Sequence, residues 1–493
     1  MRKRGEKKKA WIANRPLNLM VKGADPHAPA TFLPHPLGRI GIEEDARMTK
    51  RNHTITKGNT TMKKWLLSLT AISLLAFALC SCDGSKEDKT GEQTMSKEGY
   101  QLNQTVILSR HNIRSPLSEK GSLLERMTPH SWHDWSSGTS ELTLKGGVLE
   151  TQMGQYFRKW LEKEKLFPLN YHPTDNEVRI YANAKQRTIA TSNYFSAGLL
   201  PSFDADIEVH VPFDTMDPTF HPQLTFASPA YSKAAEEQIR SLFQDDIDQL
   251  KDNYELLSNV IDFRDSEAYK NKEVLEFKTD DLALIFETGK EPAMSGSLKI
   301  GCTVSDALTL QYYEEPDAKK AGFGHDLSFE QWKELSKIKD VYGDVLFSAP
   351  LVSYNVAHPL LEEIRGELSD EERKFTFLCG HDSNISSVLS CLEVNDYVLP
   401  SSIEGKTPIG SKVVFNSFAD AEGNDYYGIN LVYQSAAQLR DNAMLDLENP
   451  PMIVPLSFKG MTANKDGLYR KEDILGRLDK GISKYAEIVS LYE

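Results

Sequence analysis

The chain has 493 residues, of which 40% are hydrophobic, 9% aromatic and 26% charged, a composition that supplies a sizeable core and excludes a mostly disordered chain. Residues 1–81 carry 15 Lys+Arg against 5 Asp+Glu, so residues 82–493 hold a net charge of −24. So acidic a body excludes nucleic acid and a broad anionic membrane surface as partners, and a small anion needs a local cluster of arginines to bind there.

Met62-Lys63-Lys64 opens a short basic stretch, and Trp65 to Leu79 is an apolar run of 15 residues without a charge. At about 1.5 Å per residue it falls short of a bilayer core of about 30 Å, so it reads as the hydrophobic region of a signal peptide over 62–81. Leu79-Cys80-Ser81-Cys82 resembles a bacterial lipobox, which makes Cys82 the expected lipid attachment site. Residues 82–99 then form a polar tether to an exported body, anchored in the bacterial periplasm or outer membrane only through that lipid. Residues 1–61 are expected to lie outside the product, with translation starting at Met62. The alternatives are an uncleaved anchor helix and a simple secretory signal.

In the body, Thr105-Val106-Ile107-Leu108 predicts a buried strand. Leu149, Met153, Phe157, Trp160 and Leu161 recur at three- and four-residue steps and predict an amphipathic helix, and Glu177 to Ala182 predicts a second strand. Strand, helix and strand in that order imply a three-layer α/β core with a mainly parallel sheet. From about Pro201 to Gly301 the chain is first Pro-rich and irregular, then charged and helix-periodic from Lys233 to Asp265. This predicts a mostly helical insertion over 201–301 in a discontinuous core, 100–200 and 302–493, whose later strands lie at 374–378 and 412–415. Cys302, Cys379 and Cys391 show no zinc-type spacing, so no metal site is expected, and Cys379, closing an apolar run, reads as a buried thiol.

Two motifs stand at strand ends. Arg110-His111-Asn112-Ile113-Arg114-Ser115-Pro116 follows the first strand, where α/β folds place ligands, and sets two arginines around a histidine. Guanidinium forks match phosphate oxygens, and a neutral imidazole is a competent nucleophile toward phosphorus. Gly380-His381-Asp382-Ser383-Asn384 follows another apolar strand, with His381 placed to hold a phosphate oxygen and Asp382 to protonate a leaving oxygen. Asn183 to Thr188 adds Arg187 at a third strand end. Spacing alone leaves open the alternative of solvated or salt-bridged turns.

These motifs resemble those of the histidine acid phosphatases, the two-domain branch of the histidine phosphatase superfamily that includes phytases. The resemblance extends through RHNIRSPL (110–117), LTLKGGVLE (142–150), MDPTF (216–220), DALTLQYYE (306–314), GHDSNI (380–385), TPIG (407–410) and VYQSAAQLR (432–440), essentially the whole body. It implies that His111 is the nucleophile, that Arg110, Arg114, Arg187 and His381 bind the phosphate, and that Asp382 is the general acid. It implies no cofactor and no metal, since the arginines supply the positive charge, and an acidic optimum, since neighbouring cations keep His111 neutral while Asp382 must be protonated.

Ser383 and Asn112 depart from the commoner Thr and Gly of the family, and both departures are shared with members acting on glucose 1-phosphate. Glu291 corresponds to an acidic residue at the mouth of the site there, expected to disfavour highly phosphorylated inositols; its alternative is an ordinary surface glutamate. A sugar phosphate, glucose 1-phosphate, is therefore the expected substrate. The rivals are phytase activity and, in another class, a phosphate-ester binding lipoprotein without turnover. Trp132 and Trp135 are expected either to line the pocket or to cover the core. Related enterobacterial enzymes carry disulfides, for which three body cysteines give no full set of pairs. Oligomeric state is not legible.

Overall fold

The computed structural model describes residues 94–174 and 176–493. The signal sequence, Cys82 and most of the tether lie outside the described residues.

β1 (Gln101–Arg110) is buried on both faces from Thr105 onward, as a strand covered by helices on each side must be. α1 (Leu144–Lys163) starts at Thr143, whose hydroxyl accepts the Gly146 N–H at 3.0 Å, and turns Leu149, Met153, Phe157, Trp160 and Leu161 inward, the face read from the sequence. β2 (Val178–Ala182), α2 (Gln186–Leu199) and β3 (Ile207–Glu208) follow. A helical stretch comes next: α3 (Pro229–Asp248), α4 (Lys251–Val260), α5 (Ser297–Glu314), α6 (Phe329–Phe347) and α7 (Pro350–Glu367). β4 (Phe375–Gly380), wholly buried, leads into α8 (Asp382–Cys391). β5 (Lys412–Ala419), β6 (Asp425–Tyr433), β7 (Met452–Pro455) and β8 (Tyr469–Arg470) complete the sheet, and α9 (Lys471–Tyr492) packs on α7.

The sheet runs β8-β6-β5-β1-β4-β2-β3, with β7 also pairing with β6. The α/β class holds, and the half that carries the motifs, β1, β4, β2 and β3, is parallel. The other half is added antiparallel, because a link as short as Asp420 to Asn424 cannot return a strand parallel to its neighbour. Register then fixes the site: Arg110 pairs with Gly380 and Ala182 with Cys379, so three strands end at one level.

α6 packs against α3, α4, α5 and α8. The boundary expected at Gly301 falls inside α5. The composition change there marks α5 passing from a partly exposed first turn into almost complete burial, and the chain has no break at that point. Cys302, Cys379 and Cys391 form no disulfide among the described residues, and Cys379 is buried as expected.

α1 and α2 approach until backbone meets backbone. A Cβ on Gly154 stands 2.1 Å from the carbonyl oxygen of Phe195, and one on Gly198 stands 2.1 Å from that of Thr151. Gly154→Ala is therefore expected to cost about 1–3 kcal/mol through forced separation of the helices. Gly366→Ala on α7, where a Cβ meets nothing within 4 Å, is expected to gain up to about 1 kcal/mol. Urea unfolding of the two variants checks the opposite signs.

Candidate active site

The three strand ends are tied together by backbone. The His111 N–H donates to Gly380 O at 3.1 Å, and the Asn183 N–H to Cys379 O at 3.0 Å. His111, Arg114, Arg187, His381 and Asp382 consequently line one cavity of about 630 Å³. Arg110, 1% exposed, joins the cluster through Asp382 Oδ2 at 3.4 Å. All six residues singled out at strand ends are thus brought together.

The tautomer of His111 follows from its partner. His111 Nδ1 lies 2.9 Å from the carbonyl oxygen of Asn112. A carbonyl only accepts, so Nδ1 carries the proton and Nε2 keeps its lone pair. Burial first, then Arg187, His381, Arg114 and Arg110, hold this imidazole well below its ordinary pKa, so it stays neutral in mild acid. At Asn183, Oδ1 accepts the N–H groups of Ala184 at 2.8 Å and Asp217 at 2.9 Å, which leaves Nδ2 to donate to His381 Nε2 at 2.7 Å. Arg187 Nη2, which can only donate, lies 3.5 Å from His381 Nδ1, so donors face both ring nitrogens of this histidine. Burial and then Arg187 push this histidine down as well.

The cations are held from behind. Arg110 Nη1 donates to Glu404 Oε1 at 2.8 Å and to Thr407 O at 2.6 Å, and Arg114 Nη2 donates to Asp306 Oδ2 at 3.0 Å. Arg187 leans on His381, and burial pushes its pKa down to about 10. The buried Nε–H groups of Arg110, Arg114 and Arg187 find no protein acceptor among the described residues, a surplus of donors suited to a multi-oxygen anion. Burial alone raises the Asp382 carboxyl, but Arg110 and then Lys339 outweigh it and drive it well below the usual range. Below His111, Asn112 Nδ2 donates to Glu150 Oε2 at 2.8 Å, and Glu150 forms a fully buried ion pair with Lys412 at 2.8 Å.

Glu291 lines the same cavity, with its carboxylate 3.5 Å from His221 Nε2. Its side chain is 45% exposed, and the desolvation the cavity wall still imposes, with the Asp382 charge, raises its pKa. Trp132 and Trp135 do neither of the two expected things alone: they pack on the core and line a neighbouring cavity of about 600 Å³. Sequence reasoning missed Lys339 and Glu404 and gave no role to Asp306 or Asn183. Lys339 left a signal, because it falls four residues after Leu335 on the buried face of α6, a charge inside an apolar stripe. Glu404, in a polar loop, left none. No cluster of three or more His, Cys, Asp or Glu able to hold a metal ion occurs among the described residues.

Residues 101–434 match the histidine phosphatase superfamily (branch 2). The chain is 38% identical over 393 residues to a glucose-1-phosphatase of Providencia rettgeri, covering 78% of this chain and 92% of that protein. It is 39% identical over 377 residues to a glucose-1-phosphatase of Salmonella typhimurium, covering 75% and 90% respectively. The apo form of Hafnia alvei phytase shares the fold with a TM-score of 0.72 at 27% identity, covering 79% of this chain and 99% of that one. The family expected from the strand-end motifs is therefore the right one, and the chain belongs to branch 2 of the histidine phosphatase superfamily as a phosphoric monoester hydrolase.

Proposed function

We propose that the protein is an exported acid phosphatase that hydrolyses sugar phosphate monoesters, glucose 1-phosphate above all, through a phosphohistidine on His111. The observation that carries this reading is the unprotonated Nε2 of a neutral imidazole among three guanidinium groups with unmatched donors. The two glucose-1-phosphatases at 38% and 39% identity support the substrate.

In the first step Nε2 attacks phosphorus in line, the P–O bond to the sugar breaks, and Asp382 gives its proton to the departing oxygen. Arg110, Arg114, Arg187 and His381 hold the equatorial oxygens, where charge grows in the transition state. In the second step the Asp382 carboxylate takes a proton from water, whose oxygen attacks phosphorus as the P–N bond breaks. Inorganic phosphate leaves, and His111 and Asp382 return to their starting protonation.

The leader and Cys82 support an export route that ends in lipid attachment. Labelled palmitate is expected to enter the wild-type protein in a bacterial host and to be absent from Cys82→Ser; equal labelling of both contradicts the anchor.

Glu291 favours a monophosphate, because a carboxylate at the cavity mouth repels clustered phosphates and accepts from sugar hydroxyls. A second reading, phytase, draws on Lys185, Lys299 and Lys406 in the same wall, of which Lys185 and Lys406 are engaged by Asp214 and Asp344. Phosphate release with chelator present separates the readings. Wild type is expected to prefer glucose 1-phosphate to phytate, His111→Ala to release phosphate from neither, and Glu291→Gln to shift the ratio toward phytate by about tenfold. A wild-type preference for phytate overturns the substrate, and a fully active His111→Ala overturns the mechanism.

A further inference from the structure

Asp382 is gripped by more cation than a proton donor needs. Arg110 Nη2 stands 3.4 Å and Lys339 Nζ 3.5 Å from the same oxygen, Oδ2. Lys339 is 7% exposed, reaches the cluster from α6, and shares Glu404 Oε1 with Arg110 at 3.2 Å and 2.8 Å respectively. Two cations and two carboxylates thus form a closed, charge-balanced square in which protonating Asp382 leaves a buried positive charge uncompensated.

We infer that Lys339 is a positioning residue that, together with Arg110, keeps Asp382 ionised before substrate binds, so that Asp382 takes up its catalytic proton only when a phosphoryl group arrives to offset those cations. The inference rests on the reading of Asp382 as general acid. The proton comes from the monoester monoanion or from mildly acidic solvent, moves to Asp382 as the phosphoryl charge settles among the arginines, and leaves with the sugar oxygen. The site is therefore armed by its own substrate.

The surroundings of Asp382 agree. Arg114, on the same side as Arg110, and Lys339, on α6, favour its ionised form, while neutral His111 adds no charge. Across the cavity Glu291 opposes it and Arg187 supports it. Asp306 and Glu404 draw on the same cations and restrain their pull. Burial and Arg110 depress Lys339, but Glu404 and Asp382 more than restore it, so its ammonium persists. A structural lysine in this position needs only Glu404; the second contact, to Asp382, is what couples it to chemistry.

The test is the pH dependence of single-turnover phosphorylation of the full chain by glucose 1-phosphate. Lys339→Met eases protonation of Asp382, so its alkaline limb is expected to move up by about one pH unit or more, while Lys339→Arg stays near wild type. An unmoved limb in Lys339→Met overturns the inference. Asp382→Asn tests the underlying reading separately: it is expected to slow glucose 1-phosphate by about 100-fold or more yet spare 2,4-dinitrophenyl phosphate, whose leaving group needs no proton. An Asp382→Asn protein that is fast on both removes the general-acid reading itself. Should Lys339→Met fail to fold, calorimetry of sulfate binding to wild type at about pH 5 in two buffers still decides, because about one proton is expected to be taken up by wild type and none by Asp382→Asn. Sulfate binding without proton uptake by wild type overturns the inference.

Discussion

A buried guanidinium must be paired or it destabilises the fold by several kcal/mol, and in this protein one carboxylate meets that demand. Glu404, 1% exposed, accepts from Arg110, Lys339, the Tyr313 hydroxyl and the Ile409 N–H. Its loop also supplies Thr407 O to Arg110, the Gly410 N–H to His111 O, and Ser411 O to the Arg110 N–H. The loop that neutralises the first arginine is therefore the wall that fixes the nucleophile. Remove the carboxylate, and Arg110 and Lys339 keep only Asp382 Oδ2, at 3.4 Å and 3.5 Å, to balance their two charges.

A second constraint acts on hydrogen-bond direction. Catalysis through His111 needs a proton on Nδ1 and none on Nε2, and a backbone carbonyl imposes this without titrating. At His381 two backbone N–H groups orient the Asn183 amide so that its Nδ2 donates to the ring Nε2. Asn112, placed by Glu150 and Lys412, thus converts fixed backbone into a fixed protonation state at His111. Cations alone do not achieve this, because they lower the pKa of an imidazole without choosing which nitrogen gives up the proton.

Much of this was legible in the residues. The α/β class followed from alternating buried strands and one amphipathic helix, and the six strand-end residues followed from the types of side chain found there. What was not legible arises from tertiary pairing. Arg110 and Glu404 are 294 residues apart in sequence, and Arg114 and Asp306 are 192 apart. Nothing local marks a loop glutamate as the partner of a distant arginine, whereas Lys339 betrayed itself by interrupting an apolar stripe. The composition edge at Gly301 lies inside a helix, because a helix entering the core changes composition along its length. The antiparallel half of the sheet was hidden for a different reason: a strand buried on both faces carries no polar alternation to mark which way it pairs.

The central claim is a covalent bond between phosphorus and His111 Nε2, and rapid-quench labelling tests it most directly. Protein mixed with glucose 1-phosphate carrying radioactive phosphorus is denatured in alkali within the first turnover and digested. The account predicts label on the peptide containing His111, stable to alkali, lost in mild acid and absent from His111→Ala. Hydrolysis without any labelled protein after the alkaline quench, or label that survives only in a parallel acid quench, contradicts it.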